Sequence, residues 1–115
     1  MGKEEILNEI INIPGVVGAV LYSSDLEDHM AKLTLDIDES VLGGLGVSII
    51  GFWEEIASSL EMGDIEEMIV ETKRGRFLIY KILNYVLIIL TTKAGNLGTI
   101  KYNLNKVIKQ LRSAY

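Results

Sequence analysis

The chain offers few side chains that could perform chemistry. It has one histidine, His29, and no cysteine, which excludes multi-histidine and thiolate metal sites, cysteine nucleophiles and disulfide frameworks. Acidic pairs such as Asp36 with Asp38 and Glu54 with Glu55 could serve metal binding or acid–base catalysis. Because no neighbouring histidine or second ligand set accompanies them, we interpret these acids as helix caps and solvated surface. We expect His29, on a half-buried strand, to be structural.

Two glycine-rich segments, residues 43–46 and 93–98, resemble phosphate-binding loops superficially. Neither has the Walker spacing or the dinucleotide-binding spacing of glycines. Gly95 and Gly98 lie where a predicted strand meets the N-terminus of a predicted helix, which could bind an anion, but a close-packed turn explains them more simply. We therefore predict no cofactor, no metal ion and no enzymatic activity.

Composition and charge restrict the class of protein further. The 115 residues are 49% hydrophobic, which predicts a single folded domain over residues 1–115. A net charge of −5 argues against general nucleic-acid binding. The N-terminus lacks an export signal, and the longest apolar stretch, residues 41–53, is shorter than the roughly 20 residues of a membrane span. We expect a cytoplasmic protein with no direct membrane insertion.

Charge is distributed unevenly along the chain. Residues 1–72 hold all 16 acidic residues and only two basic ones, whereas residues 73–115 hold the other nine basic residues and no acid. The basic residues are spaced along a helical pattern and are not bunched as in a nucleic-acid-binding tail. We expect the two halves to fold together and neutralise each other.

The first third of the chain predicts a helix and a hairpin. Apolar residues at helical spacing indicate a helix over residues 3–12, which Pro14 and the following glycine end. The apolar, β-branched run over 16–22 predicts a strand, and the alternation over 29–35 predicts a second strand paired with it through a polar turn at 23–28.

A long helix is predicted over residues 40–61, with Asp36 or Asp38 as its N-cap and Gly63 at its C-terminal end. Three strands should follow, over 65–72, 76–82 and 85–92.

Leucine and isoleucine spacing then predicts a C-terminal helix from Leu97, with Asn96 as its N-cap.

The strands over 16–22 and 85–92 are apolar on both faces and should be central in the sheet. The expected fold is an α+β sandwich in the order α-β-β-α-β-β-β-α. One five-stranded antiparallel sheet carries the long helix on one face and the two shorter helices on the other.

The long helix is more apolar than a helix that only covers a sheet. At 100° per residue its apolar residues occupy about 160° of the helical wheel, whereas covering a sheet needs a stripe of a little over about 100°. The surplus predicts a contact with a partner subunit or partner protein. The arc contains Leu42, Leu45, Gly46, Ile49, Ile50, Phe52, Trp53, Ile56, Ala57 and Leu60.

Small residues and a sheet edge could both contribute to that contact. Gly44, Ser48 and Gly51 form a smooth strip where another backbone could approach; alternatively the helix is kinked, begins late near Leu45, or packs its glycines tightly on its own sheet. The third strand, 65–72, is less apolar than the central strands and is a candidate edge of the sheet. Its acids either prevent pairing, or the edge pairs antiparallel with its own copy and the acids must then contact water or a base.

Taken in order, several segments resemble the roadblock/dynein light-chain superfamily, which includes the bacterial MglB regulators. The sequence IPGVVGAVL at 13–21 resembles its first strand and the turn before it, and 63–65 leading to 71–77 resembles its middle. Residues 87–90 followed by NLGTI at 96–100 resemble its end. The match spans nearly the whole chain.

This resemblance implies a non-catalytic dimer, formed with itself or with a second roadblock-like chain, whose long helices lie side by side and whose third strands join the sheets. Such dimers bind Ras-like small GTPases and activate them, promote exchange or tether them. The first arginine is Arg74, so the long helix cannot supply an arginine finger. The residues that the resemblance places at the interface are Leu45, Ile49, Phe52, Trp53 and Ile56 on the helix and Met68, Ile69 and Val70 on the strand.

A second function stays open. The dimer could be an adaptor or light-chain subunit that links proteins in a motor or membrane-associated complex without regulating a GTPase. A patch complementary to a GTPase beside the long helix would separate the two functions, and the sequence alone does not locate one.

Overall fold

Three helices and five strands follow one another in the predicted order in the computed structural model, which describes residues 2–23, 29–33 and 38–114. Every boundary lies within a few residues of its prediction, and β5 matches its predicted bounds at both ends. The elements are α1 (Lys3–Ile11), β1 (Val16–Ser23), β2 (His29–Leu33), α2 (Glu39–Leu60), β3 (Met68–Glu71), β4 (Gly75–Ile82), β5 (Tyr85–Thr92) and α3 (Leu97–Ala114).

The five strands form one antiparallel sheet in the order β2-β1-β5-β4-β3. β5 is the middle strand, with β1 beside it, as their apolar character on both faces predicts. Leu87 and Ile89 point to one face of the sheet, and Val86 and Ile88 point to the other. All four side chains are buried.

Each face of the sheet has its own hydrophobic core. α1 and α3 pack together on the face that carries Leu87 and Ile89, while α2 covers the face that carries Val86 and Ile88. The predicted α+β sandwich, with the long helix on one face and two shorter helices on the other, is therefore confirmed.

The third strand is shorter than predicted. β3 begins at Met68, and residues 65–67 leave the sheet because the indole N–H of Trp53 donates a hydrogen bond of 3.0 Å to the carbonyl of Ile65. The following turn also differs by one residue. The backbone N–H of Thr72 donates to the carbonyl of Gly75, so Gly75 already belongs to β4.

The helix ends follow local chemistry. α2 starts one residue before its predicted position, and its end at Leu60 is followed by left-handed backbone at Glu61 (φ 54°) and at the predicted Gly63 (φ 86°). At α3 the predicted cap is confirmed, since the Asn96 side-chain oxygen accepts a hydrogen bond of 3.0 Å from the N–H of Thr99.

Some predicted features lie outside the described residues. These are most of the turn between β1 and β2, the last two residues predicted for β2, and the alternative cap Asp36. Asp38 is described, and its backbone carbonyl accepts a hydrogen bond from the N–H of Leu42 at the start of α2.

The turn before α3 is close-packed at Gly95, as expected, whereas Gly98 lies within the first turn of α3. The N–H of Thr92 donates to the carbonyl of Gly15 at 2.8 Å, and a Cβ added at Gly15 would lie 3.1 Å from Gly95 Cα. Gly15 also has a positive φ of 95°. The glycines let the α1–β1 connection and the β5–α3 connection approach each other.

The two oppositely charged parts of the sequence form ion pairs with each other, as expected. Three of the ion pairs among the described residues join an acid from residues 1–72 to a base from residues 73–115. They are Glu54 with Lys81 (2.6 Å), Glu67 with Lys101 (2.7 Å) and Glu71 with Arg76.

Candidate partner-binding surface

One side of α2 is fixed firmly to the sheet. Trp53 is 2% exposed, and its indole N–H bonds to the Ile65 carbonyl; Ile50, one turn earlier, is also buried. Gly43 and Gly46 lie on the same side, where an added Cβ would come 2.7 Å from the Tyr22 ring and 2.9 Å from Ile88. For these two glycines, the structure therefore shows the alternative of tight packing on the chain's own sheet.

The opposite side of α2 is exposed, and it includes part of the predicted apolar arc together with Val41 beside it. Val41, Leu45 and Phe52 are 54%, 53% and 61% exposed, although apolar side chains of this size gain by burial. Ile49 and Ile56 lie between them and the sheet and are half-buried. We call these five residues the apolar strip.

Four of the five helix residues predicted for the interface lie together in this strip. They are Leu45, Ile49, Phe52 and Ile56. Trp53 lies in the core of its own chain, where it packs α2 against the sheet. The helical wheel could not separate the residues of the apolar strip from those packed on the sheet. It gives the width of the apolar surface but not which part of that surface faces the sheet. Contact of these residues with a partner stays a prediction.

The small residues of α2 divide in the same way. Gly44 and Gly51 have open space where a Cβ would be, and Ser48 is exposed and donates a hydrogen bond to the Gly44 carbonyl at 3.0 Å. This small-residue strip runs beside the apolar strip. A second helix could therefore approach the α2 backbone closely here.

β3 lies at one edge of the sheet. Met68, Ile69 and Val70 are half-buried, with Met68 packed toward the α2 side and Ile69 toward the α1 and α3 side. β3 pairs with β4 alone among the described strands, so its outer edge can pair with another chain. The acids do not obstruct it fully, because Glu67 and Glu71 are held by bases of their own chain.

Electrostatics at β3 are set by its cross-strand neighbours. The Arg76 guanidinium donates a hydrogen bond to Glu71, which, with the Lys93 ammonium nearby, holds the pKa of that carboxyl below its usual value. Arg76 also donates to the Gly95 carbonyl at 2.9 Å. The arginine therefore ties the sheet edge to the β5–α3 connection.

The surface of α2 is acidic where it is charged. Glu54 and Glu55 are exposed, and α2 contains no lysine, arginine or histidine. Glu54 is paired with Lys81 of β4, which leaves Glu55 as a charge near the strip. The surface suits a partner that presents apolar and basic groups.

Residues 41–60 of α2 are long and apolar enough to cross a membrane by length and composition, with a mean hydropathy of 1.3. The shorter apolar run in the sequence gave no such indication. Only 28% of the window is buried in the fold, so most of the surface of α2 is left for other contacts. The buried Trp53 shows that α2 is a helix of the folded domain.

Candidate chemical sites find little support in the part of the chain that the structure describes. No group of three His, Asp or Glu residues there could hold a metal ion. His29 is exposed, whereas a half-buried position was predicted, because β2 is an edge strand. Its ring stacks on Tyr22 with centroids 5.9 Å apart, which supports the structural role.

No protein-family model matches the chain. The uncharacterized proteins MJ1340 and MJ0310 of Methanocaldococcus jannaschii are each 21% identical over 112 residues, covering 97% of this chain and 98% of theirs. MglB of Myxococcus xanthus matches in structure with a TM-score of 0.87 at 12% identity, over 99% of this chain and 97% of that one. This chain has the roadblock/LC7 fold.

Two further structures agree. A roadblock/LC7 domain from Streptomyces avermitilis has a TM-score of 0.73 at 16% identity and covers 99% of this chain and 98% of its own. MglB in a tetrameric arrangement has a TM-score of 0.79 at 17% identity, over 96% of this chain and 85% of that one. The roadblock fold predicted from the sequence resemblance is confirmed by structures that share only 12–17% of their residues with this chain.

Proposed function

We propose that this protein is a cytoplasmic, non-catalytic dimeric platform that binds and regulates a Ras-like small GTPase. The observation that carries the proposal is the apolar strip, in which Val41, Leu45 and Phe52 are each more than half exposed on a roadblock fold. A contiguous exposed apolar surface of this kind marks a protein contact. The superfamily resemblance supplies the class of partner.

Self-association is the first step of this function. The small-residue strip allows two α2 helices to lie close together, and the open edge of β3 allows two sheets to join. The match to MglB in a tetrameric arrangement supports self-association in general terms. The partner is a second copy or another roadblock-like chain. The residues assigned to assembly are Leu45, Ile49, Phe52 and Ile56 on α2 and Met68, Ile69 and Val70 on β3, with Trp53 supporting them from the core.

Regulation must then act without an arginine finger from α2, which contains no base. The three arginines of the chain lie elsewhere: Arg74 in the turn between β3 and β4, Arg76 engaged at the β5–α3 connection, and Arg112 on α3. The platform therefore acts by positioning the GTPase's own catalytic or nucleotide-binding groups, which are the remaining source of rate change. An acidic and apolar α2 surface matches a GTPase face that carries apolar and basic residues.

The test uses Ras-like GTPases from the same genome, each loaded with GDP or a non-hydrolysable GTP analogue. We expect nucleotide-dependent retention on the immobilised protein, and a change in GTP turnover or nucleotide exchange when the protein is in excess. Leu45→Ser should reduce both effects, whereas Tyr102→Ser, on exposed α3, should leave them unchanged. No change in turnover, exchange or affinity would contradict the proposal. Retention that ignores the nucleotide would favour the adaptor function.

A further inference from the structure

The outer edge of β3 carries backbone groups that a further strand could bind. The N–H of Thr72 donates to the Gly75 carbonyl of β4 at 2.8 Å, so Thr72 directs its backbone N–H toward β4. Because hydrogen-bonded and non-hydrogen-bonded pairs alternate along an antiparallel ladder, Val70 also faces β4. Ile69 and Glu71 then direct their N–H and carbonyl groups away from β4, toward the outside of the sheet.

An acid and a base lie at equal distances from Val70 along the chain. Glu66 is four residues before Val70, and Arg74 is four residues after it. Both side chains are exposed, and neither forms an ion pair within the described ranges. A chain with this arrangement is complementary to a second copy that runs in the opposite direction, because each acid then meets the base of the other chain.

Symmetry limits how two β3 strands can pair. An antiparallel pair of identical strands in one sheet is related by a two-fold axis normal to the sheet, and side chains that lie opposite each other point to the same face. Met68 packs toward the α2 side and Ile69 toward the α1 and α3 side, so these two residues cannot lie opposite each other. The axis must therefore pass through a residue. At Met68 or Glu71 it would overlap the two strands by a single residue, which leaves Ile69 and Val70.

An axis through Ile69 gives a poor contact. It sets Glu67 of each chain opposite Glu71 of the other, and like charges directly opposite each other are unfavourable, even though both carboxylates have a base of their own chain. Glu67 also precedes β3, where the backbone has left the sheet. Only the pair of Ile69 residues on the axis would then exchange backbone hydrogen bonds within the strand.

We propose that β3 pairs antiparallel with β3 of a second copy of this chain, with Val70 on the two-fold axis and Glu66 of each chain paired with Arg74 of the other. In this register Ile69 of each chain lies opposite Glu71 of the other. Both residues direct their backbone groups outward, so two hydrogen-bonded pairs form, each with two N–H···O bonds. The cross-chain ion pairs lie at the two ends of the contact.

The ion pairs select the partner. Another roadblock-like chain could form both of them only with an acid four residues before the axis and a base four residues after it, so the contact favours a second copy. The inference rests on the self-association in the proposed function, and not on which protein the dimer binds.

Single cysteine substitutions test the register, because the sequence contains no cysteine. The two Cα atoms at position 70 would be about 4.5 Å apart on the axis, a distance that a disulfide spans. Those at position 69 would be about 8 Å apart, beyond the disulfide limit of about 7 Å. Val70→Cys, Ile69→Cys and the exposed control Tyr102→Cys are equilibrated in a glutathione redox buffer and separated on a non-reducing gel. Thermal melting checks that each variant folds.

We expect Val70→Cys to become mostly a covalent dimer, whereas Ile69→Cys and Tyr102→Cys stay mostly single chains. Cross-linking of Ile69→Cys in preference to Val70→Cys would overturn the register. A parent that sediments as a dimer while neither strand variant cross-links would also overturn it, and would leave the dimeric platform standing with its contact elsewhere. A parent that stays a single chain would overturn both this inference and the dimeric platform.

A charge exchange tests the ion pairs. Glu66→Arg sets two arginines against each other at both ends of the contact, and Arg74→Glu sets two glutamates against each other. Each variant alone should dimerise at least about tenfold more weakly than the parent, since attraction becomes repulsion twice. An equimolar mixture of the two variants should recover the affinity of the parent, because every acid then meets a base.

The matched controls are Glu9→Arg and Lys106→Glu, which reverse exposed charges on α1 and α3. Each should change the affinity of dimerisation less than about twofold. Control losses as large as those of the test variants would show general charge repulsion between chains. A mixture no tighter than its components would show that Glu66 and Arg74 do not meet. Either result would overturn the proposed ion pairs.

Discussion

Glu71 and Arg76 face each other across β3 and β4, and their hydrogen bond lowers the pKa of Glu71. A carboxyl whose pKa is lowered by folding stabilises the folded state above its unfolded pKa, which is about 4.3, and loses that contribution as the pH falls through its folded value. We expect Glu71→Gln to be less stable than the parent at pH 7, and the two to converge as the pH falls through the folded pKa of Glu71. Urea unfolding midpoints at several pH values measure this. Parallel profiles would show that the pair contributes nothing.

Single residues show how far sequence reasoning reaches. The N-cap Asn96 and the left-handed Gly63 were predicted correctly, because capping and positive φ depend on nearest neighbours in the sequence. The buried position of Trp53 and the close approach of Gly43 to the Tyr22 ring were not predictable. Each depends on which distant segment packs against it, and the sequence alone does not contain that packing.

Neighbouring glycines of α2 provide a matched pair of substitutions at the scale of the helix. A Cβ at Gly43 would come 2.7 Å from the rigid Tyr22 ring, whereas a Cβ at Gly44 would meet open space. We expect Gly43→Ala to lower the free energy of unfolding, since overpacking typically costs about 1–3 kcal/mol. Gly44→Ala should raise it by about 0.5–1 kcal/mol, because alanine favours the helix. Urea unfolding at equal protein concentration compares them.

Gly44→Ala also tests the small-residue strip. If another α2 helix lies against this strip, the added methyl group should weaken self-association even while it stabilises the single chain. Stabilisation with unchanged association would show that the strip is not part of the contact. Equal effects of the two substitutions on unfolding would contradict the packing of Gly43 on the sheet.

At the scale of elements, the order and nearly all bounds could be predicted, because apolar periodicity and turn residues are local signals. β3 was the exception. Its apolar pattern continues back to Ile65, but the pairing stops at Met68, where Trp53 takes the Ile65 carbonyl. A contact between a helix and a loop thus overrides a local strand pattern.

For the whole molecule, the central expectation is self-association through α2. Phe52→Ser should weaken dimerisation at least about tenfold, since it removes an exposed aromatic group that a partner would bury. Sedimentation velocity should give a mass near twice the 12.8 kDa of the chain for the parent and near the chain mass for the variant at micromolar concentration. Phe52 is the better probe than Trp53, whose removal would also destabilise the single chain by leaving a cavity in its core.

The matched control is Tyr102→Ser, which alters an equally exposed aromatic residue on α3. It should leave the mass unchanged. A parent that stays a single chain at high concentration would contradict the dimer. If that single chain sediments with lipid vesicles, the apolar strip would instead be a membrane contact.

The sheet order has a consequence for synthesis on the ribosome. β1 lies beside β5, about seventy residues further along the chain, and until β5 emerges β1 has only the short β2 as a neighbour. The nascent amino-terminal part is also strongly negative, because most of the basic residues that neutralise it lie in residues 73–115, which are synthesised later. The centre of this protein is therefore assembled last, and a prematurely released chain would carry its most apolar strand with one side open to aggregation.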